Sequence, residues 1–212
     1  MGGSFNANHL EFLLLGAGWT IVLTLISFVG GGLAGFMVAL ARVSSVGPLR
    51  WLVAAYVMLI QGTPLLVLMF LMYFGVAMAG MELSPLAAAG LSLTIYVSAY
   101  LGEIWRGCIE SVPRTQWEAA ECLPLTKLQR MQLVILPQAF RIATPPQTSN
   151  CIAIAKDTSL ASVVAMPDLL KQATDAQAMM ANPSPLIAAA GIYLVILWPL
   201  VRLVAYLESR NA

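Results

Sequence analysis

Eleven basic and ten acidic side chains, one histidine and three cysteines supply all the charge and metal-ligating chemistry of this chain. His9 is the single histidine, near the N-terminus and outside any cluster of ligand-type residues, and Cys108, Cys122 and Cys151 lack ligand spacing, so neither a metal site nor a disulfide framework is expected. No Gly-x-x-x-x-Gly-Lys-Ser/Thr segment is present to hold a nucleotide, and neither His-Glu-x-x-His nor Gly-x-Ser-x-Gly occurs. Glu103 and Glu110 form a carboxylate pair by type, but they fall on one helical face at the edge of an apolar run, and Glu103 is three residues from Arg106. An intrahelical ion pair accounts for that spacing. What remains is binding chemistry: Thr63, and the polar set Asn150, Lys156, Asp157, Thr158 and Ser159. An acidic group such as Asp157 suits a cationic or zwitterionic amino group. A purely structural ion pair between Lys156 and Asp157 is an equally open reading.

Stepping outward from these residues, one polar stretch interrupts an otherwise apolar chain. Ser111 to Ala139 carries Arg114, Glu118, Glu121, Lys127 and Arg130. Its local pattern is helix, turn, helix. Ser111 or Thr115 can cap a short first helix, with Pro113 in its opening turn. Thr126-Lys127-Leu128-Gln129 has the form of a capping box for a second helix, which Leu136-Pro137 is expected to close or bend. Small Ala119 and Ala120 beside the Glu118 carboxylate suit insertion into a cleft on another protein.

Composition places the rest in lipid. Of 212 residues, 59% are hydrophobic and 10% charged, with mean hydropathy +0.82; soluble domains carry about 25% charged residues. A formal net charge of +1 offers no basic field for nucleic acid. The N-terminus lacks the basic region of a cleavable signal. The reading is an all-α membrane protein, one transmembrane domain over 1–212, with about five spans near 10–41, 51–79, 86–106, 135–160 and 186–207. The loop over about 107–134 lies between the third and fourth.

Phe12 to Ala41 is free of charge and as a helix runs about 45 Å, longer than a ~30 Å hydrocarbon core, so tilt or projection is expected. Gly31 and Gly35 fit either a close helix contact or a merely softened span. Gln61-Gly62-Thr63-Pro64 predicts a bend in the second span. Pro145-Pro146 predicts a broken or bent start to the fourth, and Met166 to Pro185 predicts a short external helix. With the N-terminus outside, nine of the eleven basic residues fall inside, leaving only Lys156 and Lys171 outside or in a cavity. That agrees with the positive-inside rule and puts the 107–134 loop in the cytoplasm.

Several motifs carry a family resemblance. Glu118-Ala119-Ala120 with Leu136-Pro137 downstream resembles the "EAA" coupling loop of the transmembrane subunits of bacterial ABC importers. Gly16-Ala17-Gly18-Trp19-Thr20, Ala99 to Gly107, Pro137-Gln138-Ala139-Phe140-Arg141 and Lys156-Asp157-Thr158-Ser159-Leu160 resemble the polar amino-acid branch (histidine, glutamine and arginine type) of those permeases. Two departures stand out. Gln61 replaces the family's frequent arginine before Gly-Thr-Pro, and Pro124 replaces the glycine six residues after the glutamate. Proline cannot supply the positive φ that glycine would, so the turn must be built differently, with Pro124 opening the next element.

The resemblance implies a type I ABC importer permease fold in the bacterial inner membrane, with a periplasmic N-terminus and a cytoplasmic C-terminus. It implies a chain that is not itself an enzyme and needs no cofactor of its own. ATP and Mg would sit on a partner pair of ATPase subunits, docked through Arg114, Trp117, Glu118, Ala119, Ala120, Pro124, Leu136 and Pro137. A second permease subunit, identical or homologous, and a periplasmic or tethered amino-acid-binding protein complete the implied assembly. A gradient-driven secondary transporter or channel is the alternative, with Lys156 and Asp157 as its coupling pair.

Overall fold

The computed structural model describes residues 6–211, and among these every regular element is helical. Helix α1 (Ala7–Arg42) opens on a capping box between Asn6 and His9. After a short turn comes α2 (Gly47–Gln61), with Pro48 in its first turn, where the missing N–H costs nothing. The backbone then bends at Gly62–Pro64 into α3 (Leu65–Phe70), a π turn (Leu71–Gly75) and α4 (Val76–Met78). The two halves of this broken span meet at 99°. Pro64 lacks the N–H that would continue α2, so the expected bend lies where the sequence placed it.

Helix α5 (Pro85–Glu110) is capped by Ser84, whose hydroxyl accepts from the Ala87 N–H at 3.2 Å. It lies against α1 in the most extensive helix pair of the molecule. Glycines permit this approach: a β-carbon at Gly35 would stand 3.0 Å from the Gly102 nitrogen, and one at Gly102 would stand 3.1 Å from the Gly35 oxygen. The Gly31–Gly35 pair therefore has a specific partner, helix α5. The cores along this seam are Leu23, Leu65, Met69 and Leu93 on one side, and Val97, Leu101 and Ile154 further along.

Two short helices follow, α6 (Arg114–Glu121) and α7 (Lys127–Arg130). The latter runs through a π turn (Met131–Ile135) straight into α8 (Leu136–Asp157) and a 3₁₀ segment (Thr158–Val164). Here the structure corrects two expectations. Leu136-Pro137 does not close the second helix; the helix widens to a π turn just before Pro137, where an ordinary α turn would meet the proline ring. Of the broken or bent start expected at Pro145-Pro146, the break is absent. The helix continues through them, and the Thr148 hydroxyl, 2.9 Å from both the Thr144 and Pro145 oxygens, donates to carbonyls around them.

Helix α9 (Leu169–Met180) and the final α10 (Ser184–Asn211) complete the chain. Helices α1, α5 and α10 are long and apolar enough to cross a membrane, and the bent α2–α4 pair makes a fourth. Helix α8 has 22 residues, about 33 Å, but is too polar to qualify by apolarity alone. It packs against both α5 and α10.

Candidate functional site

The polar stretch forms a hairpin held to the base of the bundle. Pro113 is the N-cap of α6 without a side-chain cap. Ser111 instead turns its hydroxyl back to the Cys108 oxygen at 2.9 Å, and Thr115 is an exposed first-turn residue, so neither caps this helix. Trp117 and Ala120, three apart, share one face of α6. Trp117 packs on a core of Ile109, Val112, Ile135 and Ala139, and Ala120 is only 2% exposed. Arg114, Glu118 and Ala119 face outward. The small Glu118-Ala119-Ala120 surface expected from sequence is therefore divided: Ala120 holds the helix down, while Glu118 and Ala119 are presented.

The turn after α6 uses no positive φ. The Cys122 N–H bonds back to the Glu118 and Ala119 oxygens at 3.3 and 3.2 Å, and the Leu125 N–H closes a tight turn around Pro124 on the Leu123 oxygen at 2.7 Å. Pro124 does not open the next element. Thr126 does: its hydroxyl accepts from the Gln129 N–H at 3.3 Å, while its own N–H donates to Gln129 Oε1 at 2.9 Å. Glu121 and Arg130 pair across the hairpin at 3.3 Å, and Gln138 Nε2 donates to Gln116 Oε1 at 3.3 Å. Leu136 is half-buried against the Ile109–Ile135 core, and Pro137 is exposed.

Above the hairpin, Glu103 and Arg106 form the expected pair, with Arg106 Nε donating to Glu103 at 2.7 Å. The cluster is larger than the sequence spacing suggests. Arg42 of α1 lies 3.6 Å from Glu103, and Arg106 also bonds Glu110. These charges tie α1 to α5 at the end nearest the hairpin.

The second polar feature lies further along α8. Asn150 and Asp157, two turns apart, line one side of a cavity of about 120 Å³. Tyr96 and Tyr100 of α5 line the other, with ring centroids 4.6 Å apart. The tyrosines were not picked out from sequence. Their four-residue spacing in a charge-free run was the available signal, since each phenol hydroxyl in lipid needs a polar surrounding. The remaining predicted residues lie elsewhere. Lys156 is exposed and makes no salt bridge with Asp157. Thr158 is buried and donates to the Ala155 oxygen at 2.9 Å, and Ser159 follows in the 3₁₀ segment. Thr63 sits in the α2–α3 bend, donating to the Leu59 oxygen at 2.8 Å.

Residues 31–212 match the family described as binding-protein-dependent transport system inner membrane component. The chain belongs to this family. Its members are multi-pass permease subunits of ABC importers, and the ATPase is a separate subunit. The chain is 41% identical over 157 residues to the L-cystine transport system permease protein TcyB of Bacillus subtilis, covering 74% of this chain and 67% of that protein. It is 35% identical over 214 residues to the glutamate/aspartate import permease protein GltK of Escherichia coli, covering 96% and 95%. A crystal structure of an amino acid ABC transporter with histidines superposes with a TM-score of 0.90 at 31% identity, over 98% of this chain and 100% of that one. The MetNI methionine transporter, at 17% identity and a TM-score of 0.81, shares the fold. The type I importer permease architecture is thus established.

Proposed function

We propose that this chain is the permease subunit of an ATP-driven importer of a polar amino acid, working by alternating access. Supporting this is the pairing of two features on one run of helix: an outward-facing hairpin surface at one end and a carboxylate-bearing cavity toward the other. Relatives named for cystine and for glutamate and aspartate favour an amino acid as the cargo. Asp157 and Asn150 facing two tyrosine rings suit an ammonium group, through charge, hydrogen bonding and cation–π attraction. Thr63, Lys156, Thr158 and Ser159 flank the route.

In this reading, Arg114, Glu118 and Ala119 seat in a groove of a partner ATPase that carries ATP and Mg, while Trp117, Ala120, Leu136 and Pro137 fix the hairpin's angle. Pro124 fixes its turn. A second permease subunit completes the pathway, since one such chain is too small to enclose it. A binding protein delivers the cargo on the periplasmic side, where the N-terminus lies, and the C-terminus is cytoplasmic. Cargo shifts the inward–outward equilibrium only by its differential affinity for the two states, so the free energy of transport enters through the hairpin.

The test is copurification from native membranes in mild detergent, comparing tagged wild type with Glu118→Arg. A Walker-motif ATPase should accompany the wild type and be lost from the variant at equal melting temperature. Absence of any ATPase from the wild type would overturn the reading in favour of a gradient-driven carrier, whose uptake would persist without ATP.

A further inference from the structure

Three buried oxygens have no hydrogen-bond partner at the junction of α1, α9 and α10: Asp168 Oδ2, Gln172 Oε1 and the Tyr193 hydroxyl. Asp168 is 0% exposed. Its Oδ1 is the N-cap acceptor of α9, taking the Lys171 N–H at 3.0 Å, which leaves Oδ2 without a donor. No neighbouring group reaches Oδ2 in hydrogen-bond geometry. Thr20 of α1 already accepts from the Leu169 N–H and donates to the Gly16 oxygen, both at 3.2 Å. The Tyr193 hydroxyl of α10 lies toward Thr20 and the Leu170 backbone without reaching hydrogen-bond geometry with either. Gln172, whose Oε1 is also buried and unpaired, lies one turn further along α9. Gly16 lets the backbone close in, since a β-carbon there would stand 2.9 Å from the backbone carbonyl oxygen of Asp168.

A fully buried, ionised carboxylate with one oxygen unpaired is an unfavourable arrangement. A proton on Oδ2 removes the charge and turns an acceptor into a donor. We propose that Asp168 is a proton-binding site that clamps external helix α9 onto α1 and α10 when protonated and loosens it when ionised. The permease thereby carries a sensor of the pH on the face where α9 lies.

The charged and titratable groups facing the site are few. On α9, Lys171 is the near cation, but its ammonium is engaged by Asp175 at 2.7 Å. On α10 the facing group is Tyr193. On α1 the facing residues are Gly16 and Thr20, neither of which titrates. Burial, only partly offset by the N-cap bonds and Lys171, pushes the Asp168 carboxyl up to about 6.

The experiment is hydrogen–deuterium exchange of peptides within Leu169–Met180, using the full chain in lipid nanodiscs from pH 4.5 to 8 and corrected for intrinsic exchange. Wild-type protection should fall about tenfold or more between pH 5 and 7.5, with its midpoint near 6 and independently of sodium or potassium. Asp168→Asn keeps the cap and should stay protected at every pH. Tyr193→Phe removes the nearest potential donor and should move the midpoint upward. Flat wild-type protection, or an Asp168→Asn profile that still tracks pH, overturns the proposal. So does protection restored at high pH by added sodium or potassium, which would make the occupant a metal cation. None of these outcomes bears on ATPase capture, so the proposal and the importer reading fail separately.

Discussion

Replacing Gly35 with alanine tests the α1–α5 seam directly. The added carbon would stand 3.0 Å from both the Gly102 nitrogen and the Ser98 oxygen, and 3.1 Å from Leu101 Cβ. The first two are backbone atoms, which no rotamer change can move. An ordinary carbon contact needs ~3.5 Å, so the two helices must part by about half an ångström along their main interface. Overpacking of this kind costs ~1–3 kcal/mol, while alanine recovers ~0.5–1 kcal/mol of helix propensity over glycine. The net expectation is a loss of ~1–2 kcal/mol. Gly102→Ala should behave similarly, because its carbon would stand 2.6 Å from Val38 Cγ1 and 2.9 Å from Val38 Cβ. Val38→Ala should rescue it only in part, since Cβ and the Gly35 oxygen remain. Thermal unfolding in nanodiscs, followed by tryptophan fluorescence, provides the readout. Gly18→Ala and Gly107→Ala are controls, because a carbon at either position meets nothing within 4 Å. If Gly35→Ala melts with the controls, the reasoning fails.

Four other outcomes are expected. Ala120→Asp places a carboxylate at a 2% exposed site and should open the hairpin to protease, whereas Glu118→Arg should leave the cleavage pattern unchanged. Asp157→Asn should lower amino-acid uptake at least tenfold at equal expression, and unchanged uptake and selectivity would remove Asp157 from the pathway. Glu103→Gln should lower the melting temperature more than Glu110→Gln, because Glu103 alone joins Arg42 to Arg106. For Asp168 the folded pKa of about 6 lies above the unfolded value of 3.8, so the native state holds a proton that the unfolded chain has released. Its contribution is fully present below about pH 4 and is lost as pH rises through 6. Wild type should therefore melt progressively lower than Asp168→Asn as the pH is raised to 7.5, and the gap should close at pH 4.5.

Local rules were legible wherever local chemistry decided the outcome. The Gln61–Pro64 bend, the Thr126–Gln129 capping box and the Glu103–Arg106 pair each follow from residues within four positions of one another. Contacts between distant segments were not legible. Arg42 reaches Glu103 only because Gly35 and Gly102 bring α1 onto α5, and Tyr96 meets Asp157 only because α8 lies on α5. The prolines misled for a different reason. A proline forbids one hydrogen bond, but a helix can widen to a π turn, as before Pro137, or let threonine hydroxyls occupy nearby carbonyls, as around Pro145-Pro146. Ala120 was drawn outward because a small residue beside a carboxylate looks like a docking surface; the Trp117–Ala120 spacing carried the opposite information. Asp168 reads in the sequence as an ordinary helix cap, because the α1 and α10 residues that enclose it are distant in the chain.

The uninterrupted backbone from Lys127 to Asp157 has a mechanical meaning. At ~1.5 Å per residue it runs about 45 Å, from the hairpin's second arm to the carboxylate of the cavity. In the proposed importer, a displacement of the hairpin at Arg130 would reach Asn150 and Asp157 along one continuous helical backbone. The π turn at Met131–Ile135 is the one local widening on that line, and it lies immediately before Pro137.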